Sequence, residues 1–236
     1  MIAIGIFPEI GAYFPTPFGI FYIFFPFDGA SLDNLRLLCY TTSKDTPRKE
    51  PVMPITLSPL TPADLTAYAE LYEASFPPAE RKPLDSMMAG DNASAYELLV
   101  ISTPVCRVAG LCITVRHGDL VMLDYFAVTP DLRGRGIGRA ALPLIRERYT
   151  GRRFFLEIEA PPPVDPRDRC PNTAQRIARK NFYASAGMVS TGIRAYIYGS
   201  DMELWGFPED AERLTFEDYA ALLAATFPAT MRPERL

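Results

Sequence analysis

A glycine- and arginine-rich turn near the middle of the chain has the residue types of an anion-binding site. It lies between a strand-like run that ends at Val128 and a helical pattern, and it consists of Arg133, Gly134, Arg135, Gly136, Ile137, Gly138 and Arg139. Its glycines allow the backbone to bend tightly and expose consecutive N–H groups. The unpaired N–H groups and positive dipole end of the following helix would point at the same place. The spacing therefore predicts a phosphate-binding turn.

The spacing of the glycines distinguishes three kinds of phosphate turn. A dinucleotide-binding G-x-G-x-x-G turn would need glycine where Arg139 stands. A G-x-x-x-x-G-K-[ST] loop is absent from the chain. The pattern that fits is R-x-x-G-x-G, formed by Arg133, Gly136 and Gly138. An ordinary strand-to-helix turn and an RGRG element of an RNA-binding tail are the alternatives.

A second group of residues could move protons. Glu157 and Glu159 are two positions apart on the predicted strand 153–159, which places both carboxylates on one face. Acidic residues on so apolar a strand need a partner or a purpose, so they are either general-base candidates or salt-bridged structural carboxylates. Asp124 is a weaker candidate for the base, and His117 belongs to a predicted hairpin turn.

Composition excludes several functional classes. The chain has 236 residues, of which 48% are hydrophobic and 22% charged, as expected for a soluble globular protein with one main core. A net charge of −4 argues against nucleic acid as a partner. Four cysteines without a CxxC pair and a single histidine argue against a metal site. The cysteines are interpreted as reduced residues of a cytoplasmic protein.

The first part of the chain differs from the rest. Residues 1–27 are rich in Phe and Ile, but prolines interrupt them, and the apolar run Phe18–Phe25 is shorter than the ~20 residues that span a membrane. No Lys or Arg precedes Arg36, so a signal peptide is not indicated. We predict that 1–52 is a poorly ordered or non-native extension, that 53–206 is the main domain, and that 207–236 is a helical appendage capped by Thr215.

The periodicity of 53–206 predicts a mixed α/β domain whose central, mostly antiparallel sheet is flanked by helices. The predicted strands are 54–58, 96–103, 105–116, 120–128, 153–159, 188–198 and 201–205. The predicted helices cover 61–76, 84–88, 136–149 and 172–186, with a last one after Thr215. Pro143 lies inside the helix that follows the glycine turn, which predicts either a kink or a displaced helix start.

Two motifs in order resemble the GNAT acetyltransferase family. The first is the R-x-x-G-x-G turn, preceded by a hydrophobic strand that ends in Ala127-Val128. The second is Asn181-Phe182-Tyr183-Ala184-Ser185-Ala186-Gly187-Met188, which is similar to the family's aromatic-Tyr signature with a following Gly. The resemblance covers about 53–206 and includes the order of elements. It implies the acyl-CoA N-acyltransferase (GNAT) fold.

The resemblance also implies a set of site residues. Acetyl-CoA would be the co-substrate, with no metal. Tyr183 would be the general acid or would only pack against the cofactor, and the base would be Glu157, with Glu159 as second choice. The implied cofactor contacts are Phe126, Ala127, Val128, the turn Arg133–Arg139, Asn172 and Tyr183.

The implied function is transfer of an acetyl group to a primary amine of a small molecule or a peptide in the cytoplasm, without a membrane partner. A homodimer is left open. The loop Glu80–Lys82 and the pair Tyr196 and Tyr198 either line the acceptor groove or are ordinary solvated and packing residues. A non-catalytic acyl-CoA sensor is the alternative function, and an RNA-binding protein is disfavoured by the acidic balance.

Overall fold

The computed structural model describes residues 53–236 apart from 79, 91–92, 164, 170–171, 198 and 228–232, together with the backbone of three earlier strands. The chain divides into two compact units, Met1–Pro51 and Val52–Leu236. The first unit contains an antiparallel sheet of three strands, β1 (Gly5–Phe7), β2 (Gly11–Thr16) and β3 (Gly19–Ile23). The rest of residues 1–52 lies outside the described part, and the prediction about this extension stays a prediction.

The second unit is built on one eight-stranded sheet with the order β11-β9-β10-β8-β7-β6-β5-β4. Its pairings are antiparallel except for β7 with β8, which are parallel. The strands are β4 (Thr56–Pro59), β5 (Tyr96–Thr103), β6 (Cys106–His117), β7 (Leu120–Val128), β8 (Arg153–Glu159), β9 (Val189–Ile197), β10 (Ser200–Gly206) and β11 (Glu234–Arg235).

Helices cover both faces of this sheet. They are α1 (Leu65–Ser75), α2 (Leu84–Ala89), α3 (Ile137–Arg148), α4 (Thr173–Ser185), α5 (Pro208–Ala211) and α6 (Phe216–Thr226). Among the described residues, no helix combines the length and the apolar character needed to cross a membrane.

The alternation of side chains along the strands sorts the core into two faces. Leu99, Leu123 and Leu156 pack with residues of α3 and with Tyr183 of α4, on what we call the α3–α4 face. The neighbouring positions pack against α1 and α2 or against α6, on what we call the α1–α6 face. Both faces of the sheet are therefore apolar and covered by helices.

The predicted fold class, a mostly antiparallel sheet flanked by helices, is confirmed. The helix after the glycine turn runs without a break from Ile137 to Arg148, so Pro143 does not displace its start. The first helix begins at Leu65, later than the predicted start at Thr61, because the Thr61 hydroxyl donates to the Asp64 carboxylate within a preceding turn.

The C-terminal helix α6 begins as predicted, since Thr215 forms a reciprocal capping box with Asp218. Its residues Tyr219, Leu222 and Leu223 are fully buried in the core of the α1–α6 face. The predicted division at residue 206 stays a prediction, although α6 lies in the same compact unit as the sheet.

Candidate active site

The central parallel strands separate halfway along their length. Strands β7 and β8 pair from Leu120 opposite Arg153 to Leu123 opposite Leu156. Beyond that point β7 continues along β6, and β8 continues along β10. We call the opening between residues 124–128 and 157–159 the seam.

A β-bulge lies where the seam begins. On β6, Ile113 is opposite Tyr125 and Thr114 is opposite Leu123, so Asp124 is the extra residue of β7. A bulge bends its strand and increases the local twist. This turns β7 away from β8 and explains why the two strands separate here.

The backbone of β7 presents polar groups along the seam. Thr129 N–H donates to the Ala109 carbonyl of β6 at 3.0 Å, which shows that this residue faces β6. Because alternate residues of a strand direct their backbone groups to opposite sides, Phe126 and Val128 face the seam. The Val128 carbonyl accepts a bond from Arg133 Nε at 3.0 Å. An extended ligand could therefore pair with β7 as another strand would.

The glycine turn follows at the mouth of the seam. Gly134 and Gly136 have φ angles of 76° and 78°, a backbone conformation that residues with a side chain rarely adopt. A Cβ added to either would meet nothing within 4 Å, so open space lies beside the turn. Gly136 is the N-cap of α3, and its carbonyl accepts the bond from Ala140 N–H at 2.9 Å. The N–H groups of the first turn have no intrahelical partner and can bind an anion.

The third glycine serves packing between helices. A Cβ on Gly138 would come within 3.1 Å of the Phe182 ring on α4. Phe182 in turn stacks on Phe126 of β7, with ring centroids 6.3 Å apart. Arg139 donates to Ser185 Oγ at 3.1 Å, also on α4. The two sequence motifs thus lie against each other.

Tyr183 lies on the α3–α4 face and is 8% exposed. Its hydroxyl forms no hydrogen bond with any described residue. Burial raises the pKa of Tyr183 to about 12, against the opposing effect of the Arg179 charge. The phenol therefore keeps its proton at neutral pH and can act as a donor.

Glu157 lies on the opposite face and is partly buried. The Tyr219 hydroxyl of α6 donates to its Oε2. The pKa of Glu157 is raised to about 7, mainly by burial and also by the charge of Asp124, while the Tyr219 hydrogen bond and the Lys82 charge act to lower it. A carboxyl group with a pKa near the working pH is suited to accept a proton.

Asp124 is already engaged in an ion pair. Lys82 Nζ lies 2.5 Å from Asp124 Oδ2, and the two side chains are 20% and 7% exposed. The ammonium also lies 3.8 Å from the ring centroid of Phe227 and 5.1 Å from that of Tyr125. The Asp124 carboxylate is therefore already occupied by a cation, which leaves Glu157 as the better placed candidate for the base.

The loop that carries Lys82 is held in place by two tyrosines. Lys82 N–H donates to the Tyr72 hydroxyl at 3.0 Å, and the Tyr125 hydroxyl donates to the Glu80 carbonyl at 2.6 Å. The loop Glu80–Lys82 is thereby fixed beside the bulge of β7. Its role in an acceptor groove stays a prediction.

Glu159, the second choice for the base, is engaged in a different way. Its carboxylate accepts bonds from Arg176 at 2.9 Å and from Arg179 at 3.1 Å. Asn172 donates to it at 3.4 Å and accepts from Arg176 Nε at 2.9 Å. Arg176 is 1% exposed and also binds Asp168, so the group has the features of a structural ion network. The geometry favours the salt-bridged interpretation of Glu159.

Of the pair proposed for the other wall of the groove, Tyr196 is not brought to the seam. Tyr196 lies on β9, which β10 separates from β8, and the Arg167 guanidinium lies 3.7 Å from its ring centroid. Tyr198 lies outside the described residues.

The contact between Tyr219 and Glu157 was not predicted from the sequence, because the sequence shows Tyr219 only as one member of an apolar helix stripe.

No family model and no curated protein matches the sequence. Among solved structures, the chain is similar to a Bacteroides thetaiotaomicron protein assigned as a GNAT-family acetyltransferase. Their identity is 24%, the match covers 72% of this chain and 94% of that one, and the TM-score is 0.54. The Escherichia coli ribosomal-protein-S18-alanine N-acetyltransferase matches with 24% identity over 66% of this chain and 94% of that one, at a TM-score of 0.45. From the first likeness, together with the seam and the glycine turn, the second unit has the fold of the GNAT acetyltransferases.

Proposed function

We propose that this chain is an acetyl-CoA-dependent N-acetyltransferase acting on a primary amine of a small molecule or peptide. The observation that carries the proposal is the open seam between β7 and β8, which ends at the anion-binding start of α3. A proton acceptor, Glu157, and a proton donor, Tyr183, lie on opposite faces of the sheet that contains this seam. A non-catalytic acyl-CoA sensor would need the seam and the turn but not these two groups.

The proposed cofactor site follows the shape of the seam. The pyrophosphate binds the N–H groups and arginines of Arg133–Arg139, where the positive φ of the glycines opens the backbone. The pantetheine arm pairs with the backbone of Phe126 and Val128, whereas the backbone groups of Ala127, the residue between them, face β6. Tyr183 contacts the cofactor from α4, and Asn172, at the start of that helix, is a candidate for a further contact.

The proposed reaction is direct attack of the amine on the thioester. Glu157 accepts a proton from the acceptor ammonium, directly or through a water molecule. The free amine then attacks the carbonyl carbon, so that an N–C bond forms and the C–S bond breaks. Tyr183 donates a proton to the leaving thiolate and regains one from the substituted nitrogen. The products are the amide, free CoA and one proton released to solvent.

Thiol release from acetyl-CoA across a panel of amines tests the proposal. The panel should contain small polyamines, amino sugars and peptides with a free N terminus, and binding of CoA should be measured in parallel by calorimetry. Amine-dependent thiol release with acetylation of the amine is the expected result. Tight CoA binding without turnover on any amine would instead favour the sensor function.

A further inference from the structure

The C-terminal helix provides a direct contact to the proposed base. The Tyr219 hydroxyl donates a hydrogen bond to Glu157 Oε2, across 62 positions of sequence. The other carboxylate oxygen, Oε1, forms no hydrogen bond with any described residue. One oxygen is therefore held by the protein, while the other remains available to a proton from outside.

Tyr219 itself has little freedom to move. It is 0% exposed, and its ring packs edge-on against Phe155 of β8, with centroids 6.3 Å apart. The start of α6 is fixed by the capping box of Thr215 and Asp218. Arg153, on the same strand as Glu157, bonds Asp218 at 2.6 Å and ties the helix to that strand. The hydroxyl is thus anchored relative to the carboxylate from both sides.

We infer that Tyr219 is a positioning residue, which orients the Glu157 carboxylate so that Oε1 takes the proton of the acceptor. This inference rests on the proposed function. A single strong hydrogen bond to one oxygen fixes the rotation of the carboxylate, and productive proton transfer depends on such orientation. The helix 216–226 then contributes to the site without touching substrate.

The groups that face Glu157 determine the expected pH effect. They are Tyr219 on α6, Asp124 on β7 and Lys82 on the loop before α2, while the position opposite on β10 is the uncharged Leu204. Tyr219 lowers the pKa of Glu157, because its hydrogen bond favours the ionised carboxylate. Loss of that bond should therefore raise the pKa and move the acid limb of the activity profile to higher pH.

The test compares Tyr219→Phe with a matched variant, Tyr149→Phe. Tyr149 is also buried, and its hydroxyl also donates to a glutamate, Glu97 Oε2 at 2.6 Å, but it lies at the end of α3 outside the proposed site. For Tyr219→Phe we expect kcat/KM to fall about tenfold for each unit of pKa shift when it is measured at a pH well below 7, where little of Glu157 is ionised. The acid limb should shift upward, with KM for acetyl-CoA unchanged. Tyr149→Phe should keep the wild-type midpoint of the acid limb.

A second readout does not depend on turnover. The infrared carboxylate signal of Glu157, taken as the difference between each protein and its Glu157→Gln form, should titrate at higher pH in Tyr219→Phe. The inference would be overturned if an active, folded Tyr219→Phe protein kept both the wild-type titration midpoint of Glu157 and the wild-type acid limb of the activity profile. The proposed function would then remain intact. Absence of turnover in the wild type on every amine would overturn both.

Discussion

At the scale of single residues, burial prepares two side chains for opposite tasks. It raises the pKa of Glu157 to about 7, so that the carboxylate is a stronger base than an exposed glutamate. It raises the pKa of Tyr183 to about 12, so that the phenol stays protonated. Groups whose environments separate their pKa values in this way are suited to act as base and acid in one reaction.

Replacement of Glu157 by Gln should remove the base while preserving the shape of the side chain. We expect kcat to fall about 10²- to 10⁴-fold, the usual contribution of general-base catalysis, with affinity for acetyl-CoA unchanged. Wild-type kcat/KM should rise with pH through about 7, since Glu157 must be ionised, and this rise should vanish in the variant. Glu147→Gln, at an exposed position of α3, is the control. Persistence of the acid limb in Glu157→Gln would assign the base to another group.

Replacement of Tyr183 by Phe should separate a donor from a packing residue. The ring and its contact with Phe182 would remain, but no proton could pass to the leaving thiolate. We therefore expect turnover to fall by more than the affinity for CoA, measured by thiol release and by calorimetry. If neither quantity changes, the hydroxyl has no part in the reaction.

At the scale of elements, the turn between β7 and α3 needs residues that adopt a positive φ, and it is also the proposed binding site of the pyrophosphate. Gly136 adopts a φ of 78° and borders open space, and Gly151 adopts a φ of 83° with equally open surroundings but follows the end of α3. The two positions therefore share the same strain on substitution and differ in their proximity to the proposed pyrophosphate.

Substitution of each glycine by Ala should expose that difference. Both variants should lose about 1–2 kcal/mol of stability, the cost of a left-handed conformation for a residue with a Cβ. Gly136→Ala alone should weaken the binding of CoA, because its methyl group and the adjusted turn would disturb the anion site. Urea unfolding and calorimetry measure the two effects. Equal CoA affinity in the two variants would argue that the turn does not bind the pyrophosphate.

The elements themselves could largely be predicted from sequence, because their signals are local. Hydrophobic periodicity located α3, α4 and the strands of the main sheet, and Thr215 marked the start of α6 through its capping box. Glycines at 134 and 136 indicated the turn, since a positive φ is a requirement of the local backbone. The two-residue period of a strand is enough to predict that the carboxylates at 157 and 159 share a face.

The features that distinguish the candidate site residues could not be predicted, because they depend on pairing across the fold. The bulge at Asp124 exists only in the register between β6 and β7. Glu157 and Glu159 are equivalent by period, yet the first faces Tyr219 and the second is bound by Arg176. Neither partner is adjacent in sequence, and no local pattern indicates which side chain α6 directs towards β8.

At the scale of the whole molecule, the core extends beyond the region of the resemblance. Residues 207–236 contribute Tyr219, Leu222, Leu223 and Phe227 to the cluster that covers β8 and β10 on the α1–α6 face. Each of these side chains is at most 6% exposed. By contrast, Met1–Pro51 forms a compact unit of its own. The two ends of the chain should therefore differ in their importance for folding.

Truncation after Gly206 should abolish cooperative folding of the second unit. Burial of four large side chains contributes about 1.5–3 kcal/mol each, which together approaches the ~5–15 kcal/mol net stability of a typical domain. The apolar positions of β8 and β10 that lie under α6 would also become exposed. Removal of Met1–Pro51 should instead leave a cooperative unfolding transition for Val52–Leu236. Circular dichroism during urea titration would monitor this transition. A sharp transition for residues 1–206 would show that α6 only covers a core that is stable without it. In that case Tyr219 could be removed with the helix, and the remaining activity would measure how far Glu157 works without its hydroxyl partner.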